Sequence, residues 1–515
     1  MAVILNPMQL TTKFKNNQSL LLSVLLVFGI IAFLNFFSDR FFWRADLTAD
    51  KLYSTSDITK ETLANLPDPV NVRIYFSKDL PNQFSLVRRQ LDDLFSDYSV
   101  YGSNFHYQFI DPGDGAEADK LGIPKLQFND IKHDKLQVVT GYLGMLITYR
   151  DKQEIIPVVD NTQALEYQLI SLLKKLTADT QPTVGFLKNY STVTLNKDLT
   201  ILSKELRKIY QLEEIDLAKE VPANIHTLVI AAVKSDLKEE ELKNLDRFLM
   251  SGRSLIVLQD GVNTVTTPVN FNLENKSNLN ALLAKYGIVV GNQLVADIYN
   301  GTASFNQGLL TFNVNYPLWP KLLKANFSQT NPSVSQLDGV ILPWATALSF
   351  DQTKLSPDAL TTKLAQSSAS AWALPGNTNV NPAEILRPTG EIKQFTLAAS
   401  ISGPIKSAYS NTKSQHSDLI VVADSDFIKD DFVKGAYGNL IFMQNLIDGV
   451  TLDSRLASIR SKDITTRSIK DQSDQQKQFI TMFNIFGVTL LVAVLGALRY
   501  YWRKKSKTLE IKAYE

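Results

Sequence analysis

The sequence predicts an α/β protein in which two transmembrane helices flank a large extracytoplasmic body. Two long apolar segments lie near the two ends of the chain, and each has basic residues on its outer side. Between them, short strand patterns alternate with amphipathic helix patterns. This alternation predicts a β-α-β domain followed by a doubly wound sheet. The chain has 515 residues, which exceeds one domain of about 150 residues.

The two apolar segments are long enough to cross a bilayer. Leu20–Phe37 has 18 residues and Phe479–Leu498 has 20, and neither contains a charge. As helices they would measure about 27 and 30 Å, close to the roughly 30 Å hydrocarbon thickness. A buried core helix is the alternative for either segment, and a cleaved signal peptide is the alternative for the first. Because aromatic residues and no small-residue cleavage site follow the first segment, the sequence favours a retained anchor.

Basic residues set the expected orientation. Lys13 and Lys15 precede the first segment, and the cluster Arg499–Lys507 follows the second. The positive-inside rule therefore places a tail of residues 1–19 and a basic tail of residues 499–515 in the cytoplasm. Residues 38–478 would then lie outside. The net charge of the whole chain is +1. Because the two tails are more basic than this, the body between them is slightly acidic and lacks the basic face that nucleic acid binding requires.

The first predicted domain covers residues 38–180. Ser54–Asp57 fits a capping box, so a helix is expected from about Ser54 to Leu66, with Ile58 and Leu63 facing inward. The other elements expected here are strand Val70–Phe76, helix Ser85–Tyr98, strand Phe105–Ile110, paired strands Leu136–Thr140 and Tyr142–Tyr149, strand Ile155–Val159 and helix Ala164–Leu176.

The second predicted domain covers residues 181–460. Its expected elements are strand Thr183–Leu187, helix Leu199–Tyr210, strand His226–Val233, helix Lys238–Met250, strand Ser254–Gln259, helix Leu279–Tyr286, strands Phe395–Ile401 and Asp418–Val422, and helix Gly438–Ile447. Residues 262–415, rich in Asn, Ser and Thr, are expected to form an irregular insertion. A polar juxtamembrane segment, 461–478, leads into the second span.

The sequence excludes several kinds of chemistry. It has no cysteine, which removes thiolate zinc sites, iron–sulfur ligation and every Cys nucleophile. It has no phosphate-binding G-x-x-x-x-G-K-[ST] motif, no dinucleotide-binding G-x-G-x-x-G after a strand and no G-x-S-x-G nucleophile elbow. The four histidines are too scattered in sequence to form a metal-binding H-x-x-x-H pair. No cofactor is expected.

One acidic stretch is a candidate ligand site. Asp424 and Asp426 directly follow a buried strand pattern, at the sheet edge where open α/β folds bind ligands, and Asp430 and Asp431 come next. Carboxylates there would suit a cation or a phospho-ligand. Alternatively they form side-chain turns and helix caps. Because no second acidic cluster completes a ligand set, the sequence favours turns and predicts no catalytic, cofactor-binding or metal-binding residue.

Several short stretches together resemble the GldG-type auxiliary component of ABC transporters, a bacterial family first associated with gliding motility. The matching stretches are Arg44–Thr48 with Lys51–Ser54, Ile110–Pro112, Leu245–Leu249 with Gly252, Val422–Phe427, Gly438–Asn439, Asn445 and Ile459–Arg460. The likeness covers nearly the whole chain, is weak over 262–415, and departs from the family at Ala423, where glycine is common.

The resemblance implies a non-catalytic partner of a separate permease and ATPase in the bacterial inner membrane. It also implies a thioredoxin-like first domain and a glutamine-amidotransferase-like second domain, both without the cysteine that their enzymatic versions use. Two other functions remain open on the residues alone. One is a membrane-anchored envelope hydrolase or sugar-binding protein, which would need an acid pair such as Asp424 and Asp426. The other is a structural scaffold of the envelope or of motility.

Overall fold

The computed structural model describes residues 25–30, 33 and 54–512, apart from 79, 82, 133–134, 160–161, 163–164, 179, 181, 266–270, 308–309, 382–386, 389 and 463–473. Most of the expected first span, Leu20–Phe37, and the stretch Arg44–Tyr53 lie outside these residues. The described chain is a mixed α/β protein. Contacts divide it into two compact units, Met1–Asp463 and Ile464–Glu515.

The helices of the first unit are α1 Asp57–Ala64, α2 Gln83–Tyr101, α3 Ala116–Lys120, α4 Leu165–Thr177, α5 Thr200–Leu206, α6 Glu239–Met250, α7 Asn278–Tyr286, α8 Asp430–Gly435, α9 Tyr437–Asp448 and α10 Leu456–Lys462. The strands, in chain order, are β1 Val70–Phe76, β2 Phe105–Ile110, β3 Leu126–Lys132, β4 Lys135–Gly141, β5 Leu143–Tyr149, β6 Lys152–Ile156, β7 Thr183–Leu187, β8 Gln211–Ile215, β9 Ile225–Ala231, β10 Ser254–Leu258, β11 Val262–Val265, β12 Phe271–Glu274, β13 Ile288–Ala296, β14 Asn300–Gln307, β15 Leu310–Leu322, β16 Val340–Ile341, β17 Thr346–Phe350, β18 Leu360–Gln366, β19 Trp372–Pro375, β20 Thr396–Gly403 and β21 Ser417–Val422.

A four-stranded sheet in the order β2-β1-β5-β6 forms the first part of the body. Strands β1 and β2 are parallel and are joined by α2, while β5 is antiparallel to both β1 and β6. The predicted β-α-β unit is therefore present. The predicted pairing of 136–140 with 142–149 is wrong, because β4 pairs with β3 in a separate hairpin and β5 turns away into the sheet.

A ten-stranded mixed sheet forms the second part. Its central order is β8-β7-β9-β10-β21, all parallel, and β20, β17, β13 and β19 extend it antiparallel. Apolar residues from β9 and β10 are wholly buried in the core, with Leu228 and Leu255 at 0% exposure. Residues 262–415 are not irregular, because they contain ten strands, β11 to β20, and five of those strands belong to this sheet.

The second unit is described as one helix, α11 Asp474–Lys512. The expected second span falls within it. No single helix among the described residues is long and apolar enough to cross a membrane. Two parts of α11, Gln476–Gly487 and Val492–Trp502, reach the required length and composition only as a pair, with a bend of 44° between them. The two-span topology therefore stays a prediction.

Candidate functional site

The carboxyl ends of the central parallel strands are joined by buried acidic side chains. Asp260 follows β10 and Asp424 follows β21, and both are buried. The backbone N–H and the hydroxyl of Ser425 each donate to the Asp260 carboxylate, at 2.7 Å. Burial raises the pKa of Asp260 to about 6. These contacts fix the loop after β21 to the loop after β10.

Asp424 has two oxygens in different situations. Its Oδ1 accepts a hydrogen bond from the backbone N–H of Asp426 at 2.8 Å, which is the side-chain turn that the sequence favours. Its Oδ2 is buried and has no hydrogen-bond partner within the described residues. Burial, together with the neighbouring carboxylates of Asp426 and Asp260, raises the pKa of Asp424 well above its usual range. The site therefore disfavours the charged form of Asp424.

The other acids of this stretch are accounted for individually. Asp426 forms an ion pair with Lys429. Asp430 accepts from the backbone N–H groups of Thr200 and Ile201, at 3.1 and 3.0 Å, and so caps α5 rather than α8, of which it is the first residue. Asp431 is exposed. Among the residues that the structure describes, no group of three or more His, Asp or Glu could hold a metal ion.

A second buried cluster lies where α4, α9 and α10 meet, and we call it the junction cluster: Tyr167, Tyr210, Asn445, Asp448 and Arg460. The Asp448 carboxylate accepts from the Tyr167 hydroxyl at 2.8 Å, the Tyr210 hydroxyl at 2.6 Å and the Arg460 guanidinium at 2.7 Å. Arg460 also donates to Asn445 at 2.8 Å and lies 3.9 Å from the Tyr167 ring centroid. The cluster thus joins the end of the first predicted domain to the second.

Burial dominates the electrostatics of the junction cluster. Asp448 is 0% exposed and Arg460 is 6% exposed. Desolvation raises the pKa of Asp448 to about 7, although the hydrogen bond from Tyr210 opposes this shift. Desolvation also lowers the pKa of Arg460 to about 9. Each group is therefore held in a site where its charge is tolerated only because its partners are in place.

Helix α4 also fixes α1, the first element described after the expected first span. Glu166 on α4 accepts from the backbone N–H of Ser56 at 2.8 Å and from the hydroxyl of Thr59 at 2.7 Å. Ser56, rather than the predicted Ser54, is the N-cap of α1, because its hydroxyl accepts from the N–H of Thr59. The start of α1 is thus anchored to a residue 110 positions away.

The segment before the expected second span reaches the same helix. Lys174 on α4 pairs with Asp453 at 3.4 Å, and Arg455 bridges Asp453 at 2.9 Å and Glu61 of α1 at 2.5 Å. Helix α10 packs against α4 as well. The first described helix after the expected first span in sequence and the last helix before the expected second span therefore both contact α4. We call α4, with the ends of α1 and α10 that it holds, the base of the body.

Comparison with known proteins identifies the family. A family model described as an ABC-type uncharacterized transport system matches residues 181–446. The chain belongs to this family. A second model, for a domain of unknown function, matches residues 49–148.

The relatives of this transport-system protein add little about its activity. An uncharacterized protein of Borreliella burgdorferi is 24% identical over 96% of this chain and 100% of its own length. Similar solved structures include the mmIFT52 N-terminal domain, at 16% identity, TM-score 0.35 and coverage of 52% of this chain and 97% of that one. Another is a ThuA-like protein from Bacteroides uniformis, at 10% identity and TM-score 0.30, covering 54% and 97%. Structural similarity this low supports no conclusion about function.

Several residues that carry the family resemblance hold the body together. Asp246 accepts from Tyr286 at 2.9 Å and from Ser407 at 2.7 Å, which joins α6 to α7 and to the loop after β20. Asn439 exchanges hydrogen bonds with the backbone of Ile341, at 2.8 and 2.9 Å. Asn445 and Arg460 belong to the junction cluster. In this chain, the residues that carry the resemblance therefore make buried polar contacts between elements of the body.

Proposed function

We propose that this protein is a membrane-anchored, non-catalytic auxiliary subunit that works with a separate permease and ATPase of a bacterial ABC transporter. The family supports the assignment to a transport system. The sequence has no phosphate-binding loop, so it cannot supply the ATPase, and two spans are too few to enclose a transport path. Both termini would lie in the cytoplasm, with the body on the outer side of the inner membrane.

The observation that carries this proposal is the convergence of the two membrane-bordering segments on α4. Helix α1, the first described helix after the expected first span, and α10, the last helix before the expected second span, are both held by α4. The contacts of Glu166 with α1 and of Arg460 with Tyr167 are buried, so they resist exchange with water. Such a body is suited to holding a fixed position relative to a membrane partner.

The base also offers a surface for that partner. A cavity of about 300 Å³ opens there, lined by the polar residues Asp57, Gln329, Thr330 and Arg455 and by the apolar residues Ile58 and Pro332, among others. Its walls come from α1, from the loop after β15 and from the segment before α10. We infer that extracytoplasmic loops of the permease contact this cavity, since it lies beside both segments that border the expected spans.

Co-purification tests the proposal. The tagged full-length protein, extracted in mild detergent, is expected to bring down a multi-span permease and a P-loop ATPase, identified by mass spectrometry. Asp57→Lys, at a fully exposed position of the base cavity, should reduce this recovery several-fold. The matched variant Asp431→Lys, equally exposed but away from the cavity, should not.

Two results would count against the proposal. One is the recovery of neither subunit under detergent conditions that preserve another transporter complex from the same membrane. The other is a hydrolytic or glycosidic turnover of the purified protein that Asp424→Asn or Asp426→Asn abolishes while the fold is retained, because this would assign the acidic stretch to catalysis.

A further inference from the structure

A cavity lies at the point of the large sheet where open α/β folds bind ligands. The chain runs from β7 to β8 on one side and then returns to β9 on the other side of β7. Ligands of such sheets bind outside the carboxyl ends of the strands, where the strand order reverses. Here a cavity of about 260 Å³ opens at the ends of these three strands, beneath the loop of residues 188–199.

The walls of the cavity follow from the strand register. Phe186, Glu214 and Val229 are aligned across β8, β7 and β9, so their side chains share one face of the sheet. Leu195 and Leu199 of the covering loop close the opposite side. The interior therefore has apolar walls, and the lining also includes Ser191 and Thr194, whose hydroxyls bond within the covering loop itself.

The covering loop is held in place by both of its ends and by its middle. The Lys188 N–H donates to Ile215 at 2.9 Å, and the N–H of Thr192 donates to the carbonyl of Ala232 at 3.1 Å. At the far end, the carbonyl of Asp198 accepts from the N–H of Asp430 at 2.9 Å. The cavity is thus formed before any ligand arrives.

Backbone strain marks the same place. Tyr190 and Ala232 follow β7 and β9, and both have a positive φ, of 68° and 53°. Residues other than glycine rarely adopt this conformation, which costs on the order of 1–2 kcal/mol. Strain of this kind concentrates at ligand-binding turns. Both strained residues directly neighbour residues that line the cavity, Tyr190 next to Asn189 and Ser191 and Ala232 next to Ala231.

The rim carries one cation and one anion side by side. The Lys188 ammonium lies 3.8 Å from the Glu214 carboxylate, and their side chains are 61% and 41% exposed. An exposed pair this loose contributes little to stability, so a ligand can replace it without a large loss. Asn189 also lines the cavity and is exposed.

We propose that this cavity binds a free α-amino acid with an apolar side chain. An α-amino acid carries its ammonium and its carboxylate on one carbon, so it complements a carboxylate and an ammonium that lie next to each other. Lys188 would bind the carboxylate, Glu214 the ammonium, and the apolar interior the side chain. A water molecule occupies about 30 Å³, so the cavity of about 260 Å³ has room for roughly as many non-hydrogen atoms as one amino acid such as leucine contains, and it is too small for a peptide.

Calorimetric titration of the full-length protein in mild detergent tests this proposal with leucine, valine, methionine and phenylalanine. At least one should bind, and its binding should weaken tenfold or more when either charge is removed, as in leucinamide and 4-methylpentanoate for leucine. Lys188→Met and Glu214→Gln should each weaken binding by a similar factor. The matched variants Lys208→Met and Glu205→Gln alter an ion pair of 2.6 Å outside the cavity and should leave binding unchanged.

Three results would overturn the assignment: no binding of any of the four amino acids at millimolar concentration, equal binding of glucose, or unchanged binding in Lys188→Met and Glu214→Gln. Thermal unfolding checks that the variants fold. We expect them to fold, because both substituted side chains are exposed at the rim. The titration uses the purified chain alone, so it does not depend on the transporter partners proposed above.

Discussion

Two buried aspartates of this protein are in opposite situations. Asp448 has three hydrogen-bond donors around its carboxylate, one of them a guanidinium. Asp424 has a single donor, on Oδ1, and its Oδ2 has no partner within the described residues. A buried charge is tolerated when its lone pairs are satisfied and is otherwise neutralised. The contribution of Asp448 to stability is therefore larger and more easily tested.

Asp448→Ala should destabilise the body strongly. The change leaves the Arg460 guanidinium and the hydroxyls of Tyr167 and Tyr210 buried without their common acceptor. Removing one partner of a buried ion pair typically costs about 3–5 kcal/mol. Urea unfolding monitored by tryptophan fluorescence measures the change in the free energy of unfolding. The exposed variant Asp431→Ala is the control and should stay within about 0.5 kcal/mol; a similarly small effect of Asp448→Ala would contradict the role of the cluster.

The raised pKa values predict a dependence of stability on pH. Asp448 has a pKa of about 7 in the folded protein and about 3.9 when unfolded, so the folded state binds this proton more tightly between those values. The free energy of unfolding should therefore fall as pH rises from about 4 to 7, by at most about 1.4 kcal/mol per pH unit, and then level off. Asp260, with a pKa of about 6, acts in the same direction over a narrower range.

Asp448→Asn isolates the Asp448 part of this effect. Asparagine keeps one acceptor oxygen and cannot titrate. The difference in unfolding free energy between pH 5 and pH 8 should therefore be smaller in this variant than in the unaltered protein. An equal or larger difference would show that Asp448 is already ionised at pH 5.

At the scale of elements, α1 depends on α4 for its stability. Helix α1 has 8 residues, and isolated helices shorter than about 12–15 residues are marginal in water. Glu166→Ala removes the acceptor of the Ser56 N–H and the Thr59 hydroxyl, at a cost of about 1–3 kcal/mol. Amide hydrogen exchange should therefore become faster in α1. Glu240→Ala on the exposed face of α6 is the matched control, and unchanged exchange in α1 would contradict the anchoring.

Elements with a strong local signal could be predicted from the sequence. The bounds of β1, β2 and β7 were predicted to the residue, because alternating or uniformly apolar runs are bordered by Pro, Gly or Asp. Strand β8 was missed, since an edge strand with two glutamates lacks the apolar alternation. Strand β20 was predicted, as Phe395–Ile401, but the other strands of residues 262–415 were missed because Asn, Ser and Thr hide a half-buried strand pattern.

The junction cluster could not be predicted, for a physical reason. Its members come from positions as far apart as Tyr167 and Arg460, and each looks ordinary in its own segment. Two signals were available: Asp448 is an acid at the end of an apolar helix, and Arg460 is a base shortly after it that matches the family. Pairing across 293 residues is set by tertiary packing. By contrast, the turn at Asp424 is local and was correctly anticipated.

At the scale of the whole molecule, the two-span topology is directly testable. Because the chain contains no cysteine, single cysteines can be introduced and labelled without background. Asp431→Cys, in the body, should react with a membrane-impermeant maleimide in spheroplasts. Thr12→Cys and Ser506→Cys, in the two tails, should react only after the membrane is opened. Labelling of Ser506→Cys in sealed spheroplasts would overturn the orientation of the second span.

The connection between the first span and α1 should be more than a tether. Helix α1 is fixed to α4 through Glu166 and to the segment before α10 through Arg455, and we predict that the length of chain before α1 sets the distance of the base from the membrane. Inserting about ten Gly/Ser residues after Thr48 costs little in closure entropy, and the body should stay folded and membrane-bound. We expect co-purification of the permease to fall several-fold, because the base cavity no longer meets its partner at a fixed height.

The same insertion in the exposed turn at Asp151, far from α1 in sequence, is the control for insertion itself. Full recovery of the permease with the insertion after Thr48 would show that this segment only tethers the body.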